Sequence, residues 1–131
     1  MFLLDTNIFL EILLSQNKQA VCQRFLQENN GNLCVSDFSV HSIGIILVRH
    51  KKHAVWRTFI EELLANVELV SLPHEQYTGV ADTAKRYGLD FDDAYQCSVA
   101  AAGDLQLVTF DRDFENVAGR IAVTFLDDDA P

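Results

Sequence analysis

The chain has little positive charge. Ten lysines and arginines stand against 19 aspartates and glutamates, for a formal net charge of −9. A nucleic-acid binder usually presents a basic patch, because phosphate contacts dominate its affinity. This composition argues mildly against such a grip and favours a divalent cation, which can itself neutralise an anionic substrate. Cysteine is sparse as well. Cys22, Cys34 and Cys97 are odd in number and widely spaced, with no Cys-x-x-Cys. They suit a reducing compartment, as small buried hydrophobes rather than nucleophiles. No uninterrupted apolar segment is long enough to span a bilayer. The start also lacks the basic residues and small-residue cleavage site of a secretory signal. A cytosolic protein with no membrane association is expected. The four histidines are scattered. His50 and His53 fit one helical face, but further zinc ligands cannot be placed. The only basic cluster, Arg49-His50-Lys51-Lys52-His53, reads first as a helix end favoured by the macrodipole and second as a phosphate contact.

What is present describes one globular domain over residues 1–131. The apolar fraction is 49% and the charged fraction 22%, enough for a continuous core. Phe2-Leu3-Leu4 is an apolar run without alternation, the pattern of a strand buried on both faces. Helices over about 7–15 and 18–29 follow, and Asn29-Asn30-Gly31-Asn32 stops the second. Leu33-Cys34-Val35 is a second strand, and Ser36 caps a helix from about Asp37 to Lys52. Its middle, Ile43 to Val48, is apolar nearly all round, so the sheet or another subunit should bury it. Close packing is the ordinary reason for Gly44 there. Another helix runs from Ala54 to Ala65, with Val55, Phe59, Leu63 and Leu64 inward. Val67–Ser71 is the third strand. Pro73 and His74 open a helix to Tyr87, ended by Gly88, and Asp90-Phe91-Asp92-Asp93 introduces one from Ala94 to Ala102. Gln106–Thr109 and Ile121–Phe125 are the last strands, before an acidic tail. There is no repeat, linker or low-complexity segment. Strands alternating with helices predict an α/β fold: a five-stranded parallel sheet flanked by helices, with right-handed crossovers.

Acidic residues recur at comparable places in this scheme. Asp5 follows the first strand, Asp93 lies in the first turn of a late helix, and Asp111 lies just past the fourth strand. Each has an ordinary alternative. Asp5 or Thr6 caps the next helix, Asp93 and Asp92 complement a helix dipole, Asp111 forms a turn, and Asp113 caps a short helix from Phe114. If strands one and four are neighbours, however, Asp5, Asp93 and Asp111 converge, and carboxylates brought together repel unless a cation holds them. Oxygen ligands fit Mg²⁺ or Mn²⁺. The waters of such an ion supply a nucleophile for phosphodiester hydrolysis.

Phe-Leu-Leu-Asp5-Thr6-Asn7, Asp93-Ala94, and Leu-Val-Thr109-Phe-Asp111-Arg-Asp113-Phe114 together resemble a PIN domain, and in size the small VapC-type toxins. The resemblance spans essentially the whole chain. It implies a Mg²⁺- or Mn²⁺-dependent ribonuclease, frequent homodimers, and an antitoxin partner that blocks the site, as in a type II toxin–antitoxin pair. On it, Asp5, Asp93 and Asp111 hold the metal, directly or through water, while Asn7 and Thr109 orient ligands or the RNA. One position departs from the family. A Glu is expected in the helix after strand two, and Ser42 stands there in Ser36-Asp37-Phe38-Ser39-Val40-His41-Ser42-Ile43. Asp37 points elsewhere around the helix, and Glu11 is a conceivable substitute. Ser42 therefore supports a second reading, a PIN-like module that binds RNA or protein with little or no catalysis. A receiver-like phospho-acceptor domain shares the alternation. It would want an acidic pair after strand one, an Asp after strand three and a Lys after the last, and the chain has none of these.

Overall fold

The computed structural model describes residues 1–128; the end of the acidic tail lies outside them. Five parallel strands form one sheet in the order β3-β2-β1-β4-β5. They are β1 (Phe2–Leu4), β2 (Leu33–Ser36), β3 (Glu68–Val70), β4 (Gln106–Thr109) and β5 (Val123–Phe125). The apolar run of β1 takes the central place, as its lack of alternation requires. The chain winds outward from β1 to β3, then returns to lay β4 against the other side of β1. Connections leaving β1 and β4 therefore diverge, opening a crevice at the carboxyl edge where such sheets bind ligands. This order also differs from the 2-1-3-4-5 order of receiver domains, which removes that reading.

Successive strand residues face opposite layers. Leu3 and Leu107 pack on one side with Val80, Tyr95, Cys97 and Phe114. That layer contains α5 (Thr78–Tyr87) and α6 (Phe91–Gly103). Leu4 and Val108 face Ile8, Phe9, Cys22, Ile43, Leu47 and Phe59. These come from α1 (Thr6–Leu13), α2 (Gln19–Glu28), α3 (Asp37–Arg49) and the segment after α4 (His53–Thr58). Phe59 anchors this second layer, edge-on to Phe9 at 5.4 Å and tilted against Trp56 at 5.8 Å between ring centres. A β-carbon on Gly44 would sit 3.2 Å from the Trp56 ring, so close packing of α3 on α4 does explain that glycine. All three cysteines are buried and unpaired, and burial pushes the Cys22 thiol up to about 12. Among the described residues no helix is long and apolar enough to cross a membrane.

Several elements differ from their expected extents. The helix placed at 54–65 starts at His53 and loosens into a π-helical segment at Phe59–Leu63. The one placed at 73–87 is divided into a 3₁₀ turn, His74–Gln76, and α5. Gly88 ends α5 at φ +66°, where a missing β-carbon removes the steric penalty. α3 buries Ile43 and Leu47 but leaves Ile45 and Val48 46% and 49% exposed, so the sheet covers only one of its faces.

Candidate active site

β1 delivers Asp5 into the crevice. Its backbone N–H donates to Val108 O at 2.9 Å, locking the end of β1 to β4. Its side chain caps α1 by accepting from Thr6 N at 2.8 Å. Capping and membership of the acid group are thus combined in one residue. Asp5 is 7% exposed, and a carboxylate there requires donors. Gln96 Nε2 donates to Oδ1 at 3.0 Å and Thr109 Oγ1 donates to Oδ2 at 2.7 Å. Burial raises the Asp5 carboxyl above its ordinary value, these donors pull it back, and the Asp111 charge raises it further.

Thr109, the last residue of β4, joins the next turn to this assembly. Its hydroxyl accepts from Asp111 N at 2.9 Å and from Asn7 Nδ2 at 3.5 Å. Asp111 then caps the 3₁₀ turn Arg112–Val117, its Oδ1 accepting from Asp113 N at 2.9 Å. The capping role expected of Asp113 therefore belongs to Asp111, because the turn starts two residues earlier than the sequence suggested. Asp113 is left free to join the acids. Single carboxylate oxygens of Asp93, Asp111 and Asp113 all lie within 4.8 Å of one another, the sole such His/Cys/Asp/Glu group among the described residues. Asp93 reaches it from the first turn of α6. Its carboxyl is pushed up to about 7, first by burial and then by the charges of Asp111, Asp5, Asp90 and Asp113.

Asp5 stands behind this trio, close enough for its charge to act on Asp93 but with both oxygens already accepting protein donors. Glu11 does not substitute for a missing acid. It accepts from Lys18 N at the far end of α1 and takes no part in the group. Ser42 is half-buried on α3. Asp37 accepts from Tyr95 Oη at 2.7 Å and from Phe38 N at 2.9 Å. His50 and His53 are exposed and belong to no ligand group.

Gln96 is the residue that the motif positions did not flag. It is 1% exposed, and besides bonding Asp5 its Nε2 donates to Ser39 Oγ at 2.9 Å. Its Oε1 accepts from Ser36 Oγ at 2.6 Å. Ser36 in turn caps α3 at Ser39 N, and Thr6 Oγ1 donates to Ser39 Oγ. One amide thus ties β1, β2 and α3 to α6. Its sequence signal is an amide among the small residues Ala94, Cys97 and Ala100, three positions after Asp93.

The donor set consists of hard oxygens with no nitrogen or sulfur among them, which suits a hard divalent cation. Asn7 adds an observation of its own. Its Oδ1 is buried with no hydrogen-bond partner among the described residues, while its Nδ2 leans on Thr109. An orphaned acceptor beside massed carboxylates is a group that a cation would satisfy.

Residues 2–120 match the PIN domain family. The chain belongs to the PIN domain family. Solved structures share its fold at low identity. A chain of a toxin–antitoxin complex from Klebsiella pneumoniae is 19% identical, covering 96% of this chain and 98% of that one at a TM-score of 0.75. FitAcB from Neisseria gonorrhoeae is 21% identical over 96% and 98%, with a TM-score of 0.74. DNA-bound VapBC from Salmonella typhimurium is 18% identical over 95% and 97%, with a TM-score of 0.79. No curated protein matches the chain.

Proposed function

We propose that this chain is a Mg²⁺- or Mn²⁺-dependent endoribonuclease, acting in the cytoplasm as the toxin of a type II toxin–antitoxin pair. The observation that carries the reading is the meeting of Asp93, Asp111 and Asp113 oxygens within 4.8 Å at the crevice between β1 and β4. Asp93, Asp111 and Asp113 would hold the ion, with Asp5 contributing charge from behind. When bound, it supplies charge for the phosphoryl oxygens and a water of lowered pKa. The chain's own residues do the positioning. Gln96 and Thr109 fix the Asp5 carboxylate, Asn7 would use its buried, unpaired oxygen to orient ligands or the RNA, and Thr109 sets the turn that presents Asp111. The name of one structural neighbour, the Klebsiella pneumoniae toxin–antitoxin complex, supports the pairing with an antitoxin. The half-exposed Ile45 and Val48 on α3 are an apolar face suited to a homodimer.

The test is cleavage of a mixed RNA pool by the purified protein. Cleavage is expected with Mg²⁺ or Mn²⁺, none with EDTA, and about 10- to 100-fold less for Asp111→Asn. Equal cleavage under all three conditions would discard the reading.

Ser42 and the fully bonded oxygens of Asp5 favour a second reading, a PIN-like module that binds RNA or protein and turns over little. The substitution Ser42→Glu distinguishes the two. It adds a carboxylate at the family's acidic position, and we expect the metal concentration for half-maximal cleavage to fall about tenfold. A wild type inert across the whole metal range supports the binding module; a competent wild type removes it.

A further inference from the structure

The amino-terminal turns of α3 and α6 open a cleft of about 380 Å³, within the size range of small-molecule sites. Phe38, Tyr77, Phe91 and Tyr95 line it together with Asp37 and Asp92, and the exposed His41 joins them. The mechanism above uses none of these side chains. Phe91 is 57% exposed and Tyr77 45%, unusual for large rings that serve packing alone. Tyr95 is the inner wall, tilted against Tyr77 at 5.8 Å and edge-on to Phe38 at 6.4 Å. Both donors that reach Asp37 use Oδ1. Among the described residues its Oδ2 and both Asp92 oxygens receive no hydrogen bond.

A ligand here must meet aromatic faces and supply donors, because ionised carboxylates only accept. Phosphates and acids are excluded by like charge. A neutral nucleobase is not, and unstacked RNA bases are commonly held on Phe and Tyr rings by their hydrogen-bonding edges. Among the bases, guanine alone presents two adjacent donors, N1–H and its exocyclic amine. Adenine and cytosine set a bare ring nitrogen beside their amine, and uracil has one N–H between two carbonyls. The guanine O6 acceptor would find a donor in the ring of His41, which lines the same cleft. Asp92 directly precedes Asp93 in the first turn of α6, and Asp37 directly follows Ser36 of the Gln96 network. The cleft and the acid group therefore share the start of α6, through Asp92 and Asp93.

We propose that the cleft seats a guanine base of the RNA strand whose phosphate enters the acid group, stacked on the rings and paired through Asp37 and Asp92. The proposal rests on the ribonuclease reading for its substrate. Titrating the full chain with guanosine, inosine and adenosine, followed by NMR, tests it without cleavage. Guanosine should shift the Phe91, Asp92 and Tyr95 amides and bind about tenfold more tightly than adenosine. Inosine, lacking the exocyclic amine, should fall between them. Asp92→Asn and Phe91→Ala, both at exposed positions, should each weaken guanosine about fivefold or more. In uridine-rich RNA carrying one guanosine or one adenosine, the guanosine should set the cleavage point, and Asp92→Asn should erase that preference. Guanosine binding without any RNA cleavage would keep the cleft and defeat only the ribonuclease reading. Cleavage indifferent to guanosine, with no guanosine shifts, overturns the proposal while leaving the nuclease intact. Shifts produced by an arginine-containing peptide but not by guanosine also overturn it, assigning the cleft to a protein segment.

Discussion

Replacing Gln96 with leucine should destabilise the protein by about 2–4 kcal/mol, although leucine is close in size and the position is buried. The reason lies in what the amide leaves behind. Asp5 loses the Gln96 donor on Oδ1, at 3.0 Å, and keeps Thr6 N and Thr109 Oγ1. Ser36 Oγ loses its 2.6 Å acceptor inside a fully buried environment. An unsatisfied buried neutral group costs about 1–3 kcal/mol, and a charged one more. The Asp5 carboxyl, already raised by burial, would rise further and weaken whatever cation the crevice holds. Urea unfolding at neutral pH reads the first effect and metal titration the second. A Gln96→Leu protein with the wild-type midpoint and metal affinity would show that the amide positions nothing.

Asp93→Asn should abolish metal-dependent cleavage and, without metal at pH 8, make the protein more stable. The Asp93 carboxyl lies at about 7 in the fold against 3.8 for the ordinary group. Because the folded value is the higher one, the folded chain holds this proton more tightly than the unfolded chain. The stability it contributes is fully present below pH 3.8 and is lost as pH rises through about 7. The nominal effect of a shift this size is discounted here because the carboxyl is partly exposed, leaving about 1–2 kcal/mol. Asp5, raised in the same direction, adds to the trend. Metal-free wild type should therefore melt a few degrees lower at pH 8 than at pH 5.5. Mg²⁺ should restore the difference at pH 8 by binding the native state alone. In Asp93→Asn the pH dependence flattens and Mg²⁺ adds little. Thermal melts at the two pH values, with and without Mg²⁺, decide it. A wild type whose melting temperature ignores both variables would mean that the acids are solvated independently of one another.

The two substitutions act on different parts of one arrangement. Gln96 and Thr109 hold Asp5 in place with neutral donors, so that burial does not by itself force the carboxyl to take up a proton. Among the described residues, Asp93, Asp111 and Asp113 have no such donors beyond the turn that Asp111 caps. Their mutual repulsion remains as the driving force for cation uptake. The sequence pattern singled out Asp5, Asp93 and Asp111, and the oxygens lying within 4.8 Å of one another are those of Asp93, Asp111 and Asp113.

Local order was legible from the chain alone. The unbroken apolar run at Phe2–Leu4, the Asn-rich stop after α2, the Ser36 cap and Gly88 all act within a few residues of themselves. Helix and strand identity therefore followed from periodicity and turn chemistry. Asp5, Asp93 and Asp111 were also visible, because the ends of buried strands and helix starts are where carboxylates are conspicuous. Which oxygens meet was decided only by the sheet order. Asp5 and Thr109 are 104 residues apart in the chain, and their contact exists because β4 returns to pair with β1. The tertiary structure also brought Gln96 to Asp5, gathered Asp113 with Asp93 and Asp111, and set four aromatic rings around an open cleft. A carboxylate's partners are fixed by through-space distances of a few ångströms, and one-dimensional spacing carries no record of distances between segments that meet only when the strands assemble.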